Sequence, residues 1–307
     1  MMQAAIAEVL IVVSPLLLVG LITKVKAFWG GRKGAPLLQP YYDFFKLLGK
    51  GEVISTTTSP VFRIAPSIGL AAVLFALMIM PLPVVGSVVH FEGDFVLFAY
   101  LLGFARFLMV AAALDTGSSF EGMGASREVT YSTIVETAFF IVVGSLALLT
   151  RHFSFETIFA SVNLASGYSP LVKILLAVSL FIMLLAEGSR VPVDDPNTHL
   201  ELTMIHEVMV LDYSGPDLAF IQYTASLKMT IISILMADLL VPSSLGIAAA
   251  FAAFAAVILL VFVSVGIVES LIARSRISHI PQFLFLMTTL SLTSFAVVAF
   301  FLFGVIR

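Results

Sequence analysis

A dense polar segment, residues 187–215, lies between two long apolar runs of the sequence. It holds two of the five His residues, one Arg and six acidic residues: Glu187, Asp194, Asp195, Glu201, Glu207 and Asp212. Carboxylates and imidazoles are the side chains that exchange protons or bind metal ions near neutral pH. Because hydrocarbon offers no hydrogen-bond partners, such a segment must face water, a partner protein or an internal cavity.

A metal site is one chemistry to consider for His199 and His206. Their spacing of seven residues puts them about 10 Å apart along a helix, too far to share an ion without further ligands. The His-Glu-x-x-His pattern of zinc sites is absent from the sequence. Two interpretations then stay open: a polar helix face that meets water or a partner, and proton uptake by imidazoles that titrate near physiological pH.

Two ionisable residues fall well inside apolar runs: Arg106 and Glu136. They lie on consecutive, antiparallel runs at a similar depth of about 12 Å from one end. An isolated charge at that depth costs several kcal/mol. We therefore expect Arg106 and Glu136 to be paired or to share a hydrated cavity, either as a static salt bridge or as a proton relay. Asp238 and Glu269, at the ends of apolar runs, are expected to be solvated.

The elements that must position these residues are membrane helices. The 307 residues are 60% hydrophobic and only 11% charged, whereas soluble domains have about 25% charged residues. Each of eight apolar runs is close to the length of about 20 residues that crosses a bilayer. The composition predicts an all-α polytopic membrane protein, with one transmembrane domain over residues 1–307 and spans at 4–23, 64–85, 95–114, 131–149, 171–187, 225–241, 245–268 and 283–305.

The polar segment is expected to contain an amphipathic helix at residues 196–211. Asp195 suits the N-cap and Pro196 the first helical position. Tyr213-Ser214-Gly215-Pro216 should end the helix. Between these signals, apolar residues recur at helical spacing: Leu200, Met204, Val208 and Leu211.

The distribution of basic residues predicts the orientation in the cell membrane. Twelve of the sixteen Lys and Arg residues lie in or beside the loops that follow spans 1, 3, 5 and 7. Positive charge marks the cytoplasmic side, so both termini are expected outside. The formal net charge of −3 gives no reason to expect nucleic acid. The chain has no Cys and so can supply no thiolate to an iron–sulfur cluster or a nickel–iron centre.

The polar segment resembles the signature loop of complex I subunit 1. The resemblance rests on Glu187-x-x-Arg190-x-Pro192-x-Asp194, on Glu201-Leu202 and on Tyr213-Ser214-Gly215. The run from Asp194 to Glu207 is closer to the hydrogenase-type branch, the membrane anchors of energy-converting (group 4) hydrogenases and formate hydrogenlyases. Arg32-Lys33-Gly34-x-Pro36 and Phe62…Ala65-Pro66 are similar to the first cytoplasmic loop and the second span of the family.

The resemblance implies that the chain anchors a peripheral redox arm and has no active site or cofactor of its own. The implied partners are hydrogenase-like large and small subunits with iron–sulfur clusters (and, in a hydrogenase, a nickel–iron centre), antiporter-like membrane subunits, and lipid. Candidate docking residues lie in the cytoplasmic loops: Arg32, Lys33, Gln39, Asp43, Lys46, Arg127, Arg190, Arg274 and Arg276.

The resemblance also implies an acidic path from the arm to the antiporter-like subunits. Glu136 and Glu187 are carried over from the family pattern. Further candidates for this path are Asp115, Arg106, Asp194, Glu201, Glu207, His199 and His206. The implied function is the membrane anchor of a ferredoxin-linked complex, in which a redox reaction is coupled to proton or sodium translocation through buried acids.

Two other functions stay open. The first is a quinone-binding subunit of a complex I-type oxidoreductase. In that branch we expect acids where Asn197 and His199 stand, and a shorter gap before Tyr213. The second is a freestanding secondary transporter with its own substrate site, although the sequence shows no internal repeat of the kind that many transporters have.

Overall fold

A computed structural model describes residues 2–82, 86–162, 169–195, 204–242 and 245–302. This part of the chain is helical, with no β-strand, and the helices are connected by loops. The α-helices are α1 (Met2–Trp29), α2 (Gln39–Leu48), α3 (Pro60–Ile79), α4 (Asp94–Asp115), α5 (Ser119–Thr150), α6 (Phe155–Val162), α7 (Ser169–Glu187), α8 (Gly215–Leu240), α9 (Ile247–Leu271) and α10 (Ile280–Leu302). Two short 3₁₀-helices follow α7 and α9, at Glu207–Val210 and Ile277–His279.

Eight of the described helices are long and apolar enough to cross a membrane: α1, α3, α4, α5, α7, α8, α9 and α10. The prediction of an all-α protein with eight spans is therefore confirmed. Two helices begin earlier than their apolar runs: α5 at Ser119 and α8 at Gly215. Their first turns are polar, and a hydropathy pattern detects only the apolar part of a helix.

α8 is the central helix of the bundle. It packs against α1, α2, α3, α7 and α9, and it is buried along most of its length. Its polar residues, such as Ser226, Thr230 and Ser233, donate hydrogen bonds back to backbone carbonyls one turn earlier. A helix with this environment can hold charged groups away from lipid at both of its ends.

The α-helix predicted for residues 196–211 is not formed in the described part of that segment. Residues 196–203 lie outside the described residues, and the regular structure after Met204 is the 3₁₀-helix Glu207–Val210. Met204 and Val208 are buried whereas Leu211 is exposed. The segment packs against α5, where a Cβ on Gly124 would collide with the Val208 side chain. These tertiary contacts bury individual apolar residues, so the helical spacing did not require a helix.

Tyr213 fastens this segment to α3. Pro66 lies inside α3 and has no N–H for the carbonyl of Phe62, four residues earlier. The Tyr213 hydroxyl donates to that carbonyl at 2.8 Å, and its ring stacks on the Phe62 ring with centroids 4.0 Å apart. Burial raises the pKa of Tyr213 above its ordinary value. Two of the sequence segments on which the resemblance rests therefore contact each other in the fold: Phe62…Pro66 and Tyr213-Ser214-Gly215.

The expectation that Asp238 and Glu269 are solvated is wrong. Asp238 is buried near the end of α8. The Glu269 side chain is fully buried, with ion pairs to Lys26 of α1 at 2.8 Å and to Arg190 at 3.4 Å. Residues at the end of a span become buried when neighbouring helices or loops cover them, and a single sequence does not show which ends are covered.

Candidate functional site

Arg106 is the centre of a buried group of charges inside the bundle. Its side chain, on α4, is 7% exposed. The guanidinium binds Glu136 of α5 and Glu187 of α7, and its Nε lies 3.2 Å from Glu128 of α5. The predicted pairing of Arg106 with Glu136 is therefore confirmed. An Arg suits this position because its planar fork presents five N–H donors in several directions at once.

Glu187 connects this group to the central helix. It lies at the end of α7 with its side chain 5% exposed, and its Oε2 is 3.8 Å from the Lys228 amine of α8. We call these five residues the inner cluster: Arg106, Glu128, Glu136, Glu187 and Lys228. With every group ionised it has three negative and two positive charges, a formal charge of −1. Uptake of one proton would neutralise it.

Two members of the inner cluster, Glu128 and Lys228, were not predicted. Glu128 lies eight residues before Glu136, about 12 Å earlier on the same helix. It was overlooked because the apolar run began only at residue 131, although α5 begins at Ser119. Lys228 looked like the cytoplasmic flank of a span. Because α8 begins at Gly215, Lys228 is a buried residue in the fourth turn of that helix.

Two small cavities border Glu187. Each has a volume of about 20 Å³, enough for about one water molecule. The first also touches Lys228 and His206, and the second touches Glu128 and Asp194. A water in either cavity would give the Glu187 carboxylate a hydrogen-bonded neighbour outside the inner cluster, which is the arrangement that proton transfer needs.

A larger cavity is also lined by His206. Its volume is about 680 Å³, and it is bounded by α1, α2, α8 and the loop after α7. His206 and Glu207 line it together with Asp43 and Gln39 of α2. His206 therefore lines both this larger cavity and the small cavity beside Glu187.

At its other side, the inner cluster reaches the lateral surface of the bundle through Glu136. This side chain is 47% exposed, although it lies near the middle of the 32-residue helix α5. A half-exposed carboxylate at that depth is costly against lipid. It is more readily accommodated against a neighbouring membrane protein or in a hydrated gap between the two.

Asp194 connects two parts of the loop after α7 and links that loop to the loop before α10. It accepts hydrogen bonds from the backbone N–H groups of Asp195, Ile205 and His206 at 2.9–3.1 Å. Arg274, in the loop before α10, donates to it at 2.8 Å. With three backbone donors and one guanidinium, Asp194 has the contacts of an anchor that holds His206 in place.

The remaining candidates for the acidic path are dispersed. Asp115, at the end of α4, accepts the backbone N–H of Ser59 at 2.6 Å, where α3 begins. Glu207 lies in the 3₁₀-helix and lines the larger cavity. His199 and Glu201 lie outside the described residues. A further buried acid, Glu121 of α5, accepts the backbone N–H of Asp212 at 3.2 Å.

The candidate docking residues fall into two groups. The first group is exposed and consists of Arg32, Lys33, Asp43, Lys46 and Arg276. Gln39 of α2 is half-buried and donates to Asp43 at 2.9 Å. The other three bind groups of this chain. Arg127 donates to the Met204 carbonyl at 2.8 Å, Arg190 pairs with Glu269, and Arg274 binds Asp194. This second group orders the loops of the face that carries the first.

In the described residues, no group of three or more His, Asp or Glu side chains is arranged to hold a metal ion. The chain also has no Cys that could supply a thiolate ligand.

Comparison with known proteins gives three informative similarities. The family model described as NADH dehydrogenase matches residues 2–300. Hydrogenase-4 component C of Escherichia coli (strain K12) is 31% identical over 278 residues, which cover 88% of this chain and 86% of that protein. Formate hydrogenlyase subunit 4 of the same organism is 30% identical over 238 residues, covering 77% of this chain and 76% of that protein.

A solved structure shows a similar fold. A chain in the structure of the membrane-bound sulfane sulfur reductase, an archaeal respiratory membrane complex, superposes with a TM-score of 0.81. The alignment covers 97% of this chain and 98% of that one, at 20% sequence identity.

Proposed function

Because this chain belongs to the NADH dehydrogenase subunit 1 family, we propose that it is the membrane anchor of an energy-converting redox complex of the hydrogenase type. The two Escherichia coli relatives, by their names, are a component of hydrogenase-4 and a subunit of formate hydrogenlyase. A Cys-free chain fits a division of labour in which partner subunits carry the iron–sulfur clusters and the catalytic centre, with ferredoxin as the electron carrier.

The face that carries the loops after α1, α7 and α9 is the proposed docking surface for the peripheral arm. Arg32, Lys33 and Lys46 are exposed there and free to meet acidic groups of a partner. Internal bonds order the same face, since Arg274 holds Asp194 and Tyr213 holds α3. An ordered face is what a coupling subunit needs, because a flexible one would absorb a partner's movement instead of transmitting it.

The observation that carries the proposal is the inner cluster with its formal charge of −1. A change in charge or position at the docked arm reaches His206 through the loop that Asp194 anchors. His206 and Glu187 share a small cavity, so a proton taken up on the His206 side can pass to Glu187 through one water. Arg106 binds Glu187 and Glu136 at once, so proton uptake at one carboxylate alters the proton affinity of the other.

The path then leaves through Glu136 towards an adjoining antiporter-like subunit. The half-exposed position of this side chain at membrane depth supports such a neighbour. In this mechanism the chain moves no electrons. Its contribution is a set of carboxylates whose proton affinity depends on their surroundings, and the translocated ion is a proton here or a sodium ion exchanged for it in the neighbouring subunit.

The test is the Glu136→Gln variant of the assembled complex in inverted membrane vesicles. Electron transfer and ion uptake are measured on the same preparation, the first with the natural donor and the second with a ΔpH-sensitive dye and with ²²Na⁺. We expect a normal amount of complex and a large loss of ion uptake per electron, because Gln keeps the size of the side chain but cannot carry a proton. Glu92→Gln, an exposed loop residue, is the matched control. Unchanged ion uptake per electron in Glu136→Gln would refute the relay.

The cavity of about 680 Å³ favours one second candidate, the binding of a quinone. It is large enough for a ring headgroup, it opens beside α1 and α2, and polar groups of Gln39, His206 and Glu207 line it. Extraction of the purified complex with organic solvent, followed by mass spectrometry, decides this point. Stoichiometric quinone that is lost on replacing Ala225, a small lining residue, by Trp would establish quinone binding. Quinone at trace levels in both preparations would exclude it.

A further inference from the structure

A separate cavity lies at the opposite end of the bundle from the inner cluster. Its volume is about 480 Å³. The segment after α3, helix α6, the end of α8 and the start of α9 enclose it, and it opens at the surface. Most of its lining is apolar or backbone, for example Pro81, Phe159 and Ile247, and the acidic residues that line it are Glu156 and Asp238. We call it the outer cavity.

Asp238 is the unusual residue of the outer cavity. It is 9% exposed, it lines the cavity, and its Oδ2 atom is fully buried without a hydrogen-bond partner in the described part of the chain. Most buried polar atoms in proteins have a partner, and an unpartnered one indicates an ion, a water or a functional role. A buried charge without any compensation is costly, so Asp238 in its ionised form requires a positive partner that enters the cavity.

The electrostatic surroundings of Asp238 favour a cation. Asp238 lies in the last turn of α8, where the unsatisfied carbonyls form the negative end of the helix. Glu156, in the first turn of α6, is the other titratable residue in the described lining, and it accepts a hydrogen bond from Ser87 at 3.1 Å. His90 lies 3.6 Å from Glu156 and is 64% exposed. No Lys or Arg is among the described residues that line the outer cavity.

We propose that the outer cavity binds a small monovalent metal cation, Na⁺, with the ionised Asp238 as the principal ligand. Carboxylate and carbonyl oxygens are the ligands that hard cations prefer, and the carboxylate of Asp238 together with carbonyls at the end of α8 supplies that chemistry. A divalent metal is disfavoured, because no cluster of three or more acidic or His side chains occurs in the residues that the structure describes. The partner of the Asp238 carboxylate is therefore an exchangeable ion that enters from the surface.

The site is connected to the inner cluster by a single rigid element. Asp238 lies ten residues beyond Lys228 on α8, about 15 Å along a helix that is buried on nearly all sides. A cation on Asp238 and a proton on the inner cluster thus act on the last turn and the middle of one helix. The outer site does not depend on the proposed redox partner, since its evidence is confined to α6, α8 and the residues around them.

The experiment measures the reaction of Asp238 with dicyclohexylcarbodiimide in the purified, assembled complex. This reagent modifies protonated carboxyl groups in apolar surroundings, and mass spectrometry of the peptide that contains Asp238 quantifies the product. Reactions are run across a pH series, with NaCl or with choline chloride at the same ionic strength. Asp238→Asn supplies the blank, and Glu92→Gln, an exposed residue of the loop before α4, is the control for general effects.

One result supports the site. Bound Na⁺ excludes the reagent, so at a Na⁺ concentration about ten times its dissociation constant the labelling slows about tenfold, whereas choline has no effect. The reagent needs a protonated carboxyl, so labelling falls as the pH rises at any carboxyl group. Absence of labelling at Asp238, or labelling that changes with pH but not with Na⁺, overturns the proposal.

A second measurement tests entry from the outer end. The chain has no Cys, so Asp238→Cys introduces its single thiol, and mass spectrometry of this chain alone shows whether it reacts. A charged, membrane-impermeant methanethiosulfonate should label Asp238→Cys in vesicles that expose the outer end, but not in inverted ones. Glu92→Cys is the accessible control and Ser233→Cys, which is fully buried, the inaccessible one. Labelling of Asp238→Cys only in inverted vesicles overturns the proposed route.

Discussion

Glu187 and Asp238 are equally well buried carboxylates whose surroundings are opposite. Glu187 lies between Arg106 and Lys228 and shares the first with two further glutamates. Asp238 has a free oxygen, an apolar cavity and the negative end of a helix around it. At the inner end, charges fixed in the fold offset the cost of burying a carboxylate. At the outer end that offset is left to a mobile ion. The inner group is therefore expected to support the structure as well as the proposed function, whereas the outer group is expected to contribute little to stability.

The largest effect is expected from Arg106→Leu. This change removes the guanidinium and leaves three carboxylates close together with one amine, and the loss of one partner of a buried ion pair costs about 3–5 kcal/mol. We expect little of this chain in the membrane, and loss of the assembled complex on mild heating, as followed by native gel electrophoresis. Arg63→Leu removes an exposed Arg of α3 that is not among the candidate docking residues, and it is the control.

Arg106→Lys distinguishes charge from geometry. Lys restores the positive charge but cannot direct donors to three carboxylates at once. The complex should assemble and should melt at a temperature between those of the wild type and Arg106→Leu. Wild-type stability of Arg106→Leu would show that the inner cluster does not hold the helices together, and would end the contrast with Asp238.

An intermediate effect is expected from Asp194→Asn. Oδ1 of Asp194 accepts from Arg274 and Asp195, and Oδ2 accepts from Ile205 and His206. Asn keeps one acceptor oxygen, but its NH₂ group cannot accept, so one of these two pairs of donors is left without a partner at a cost of about 1–3 kcal/mol. The loss should be local, and hydrogen–deuterium exchange at Ile205 and His206 should become faster. Asp212→Asn, whose side chain is exposed in the same segment, should leave the exchange unchanged. Equal exchange rates in both variants would refute the anchoring role of Asp194.

The smallest effect is expected from Asp238→Asn. No partner in the described residues is lost, and a buried charge is removed, so the change in stability should stay within about 0.5 kcal/mol. The same native-gel melting assay compares it directly with Asp194→Asn. Destabilisation as large as that of Asp194→Asn would mean that Asp238 is held by a fixed partner, and the outer cavity would then not need a cation.

Much of this organisation follows from the sequence because it depends on composition and depth. A run such as residues 95–114 can only cross the membrane, and a charge such as Arg106 inside it must find a partner at its own depth. The pairing of Arg106 with Glu136 was predictable for that reason. The apolar run at residues 171–187 also predicted that a span ends at Glu187, and α7 ends at that residue.

The helix predicted for residues 196–211 shows where such arguments fail. Helical spacing in a loop predicts which side chains are buried, but it does not predict the backbone conformation. Here that conformation depends on hydrogen bonds to Asp194 and Glu121 and on close packing at Gly124. In the same way, Glu128 and Lys228 become members of the inner cluster only because α5 and α8 extend beyond their apolar runs.

The sequence by itself determined the class of the protein, the number of spans, the lack of thiolate ligands and the need for Arg106 to be paired. These properties depend on residue type and on the thickness of a bilayer. The tertiary structure alone decided which carboxylates share Arg106, which end-of-span acids are buried, and that Asp238 faces a cavity instead of water. The reason is that helix packing brings together residues far apart in the chain. Whether a buried carboxylate has a positively charged neighbour depends on that packing.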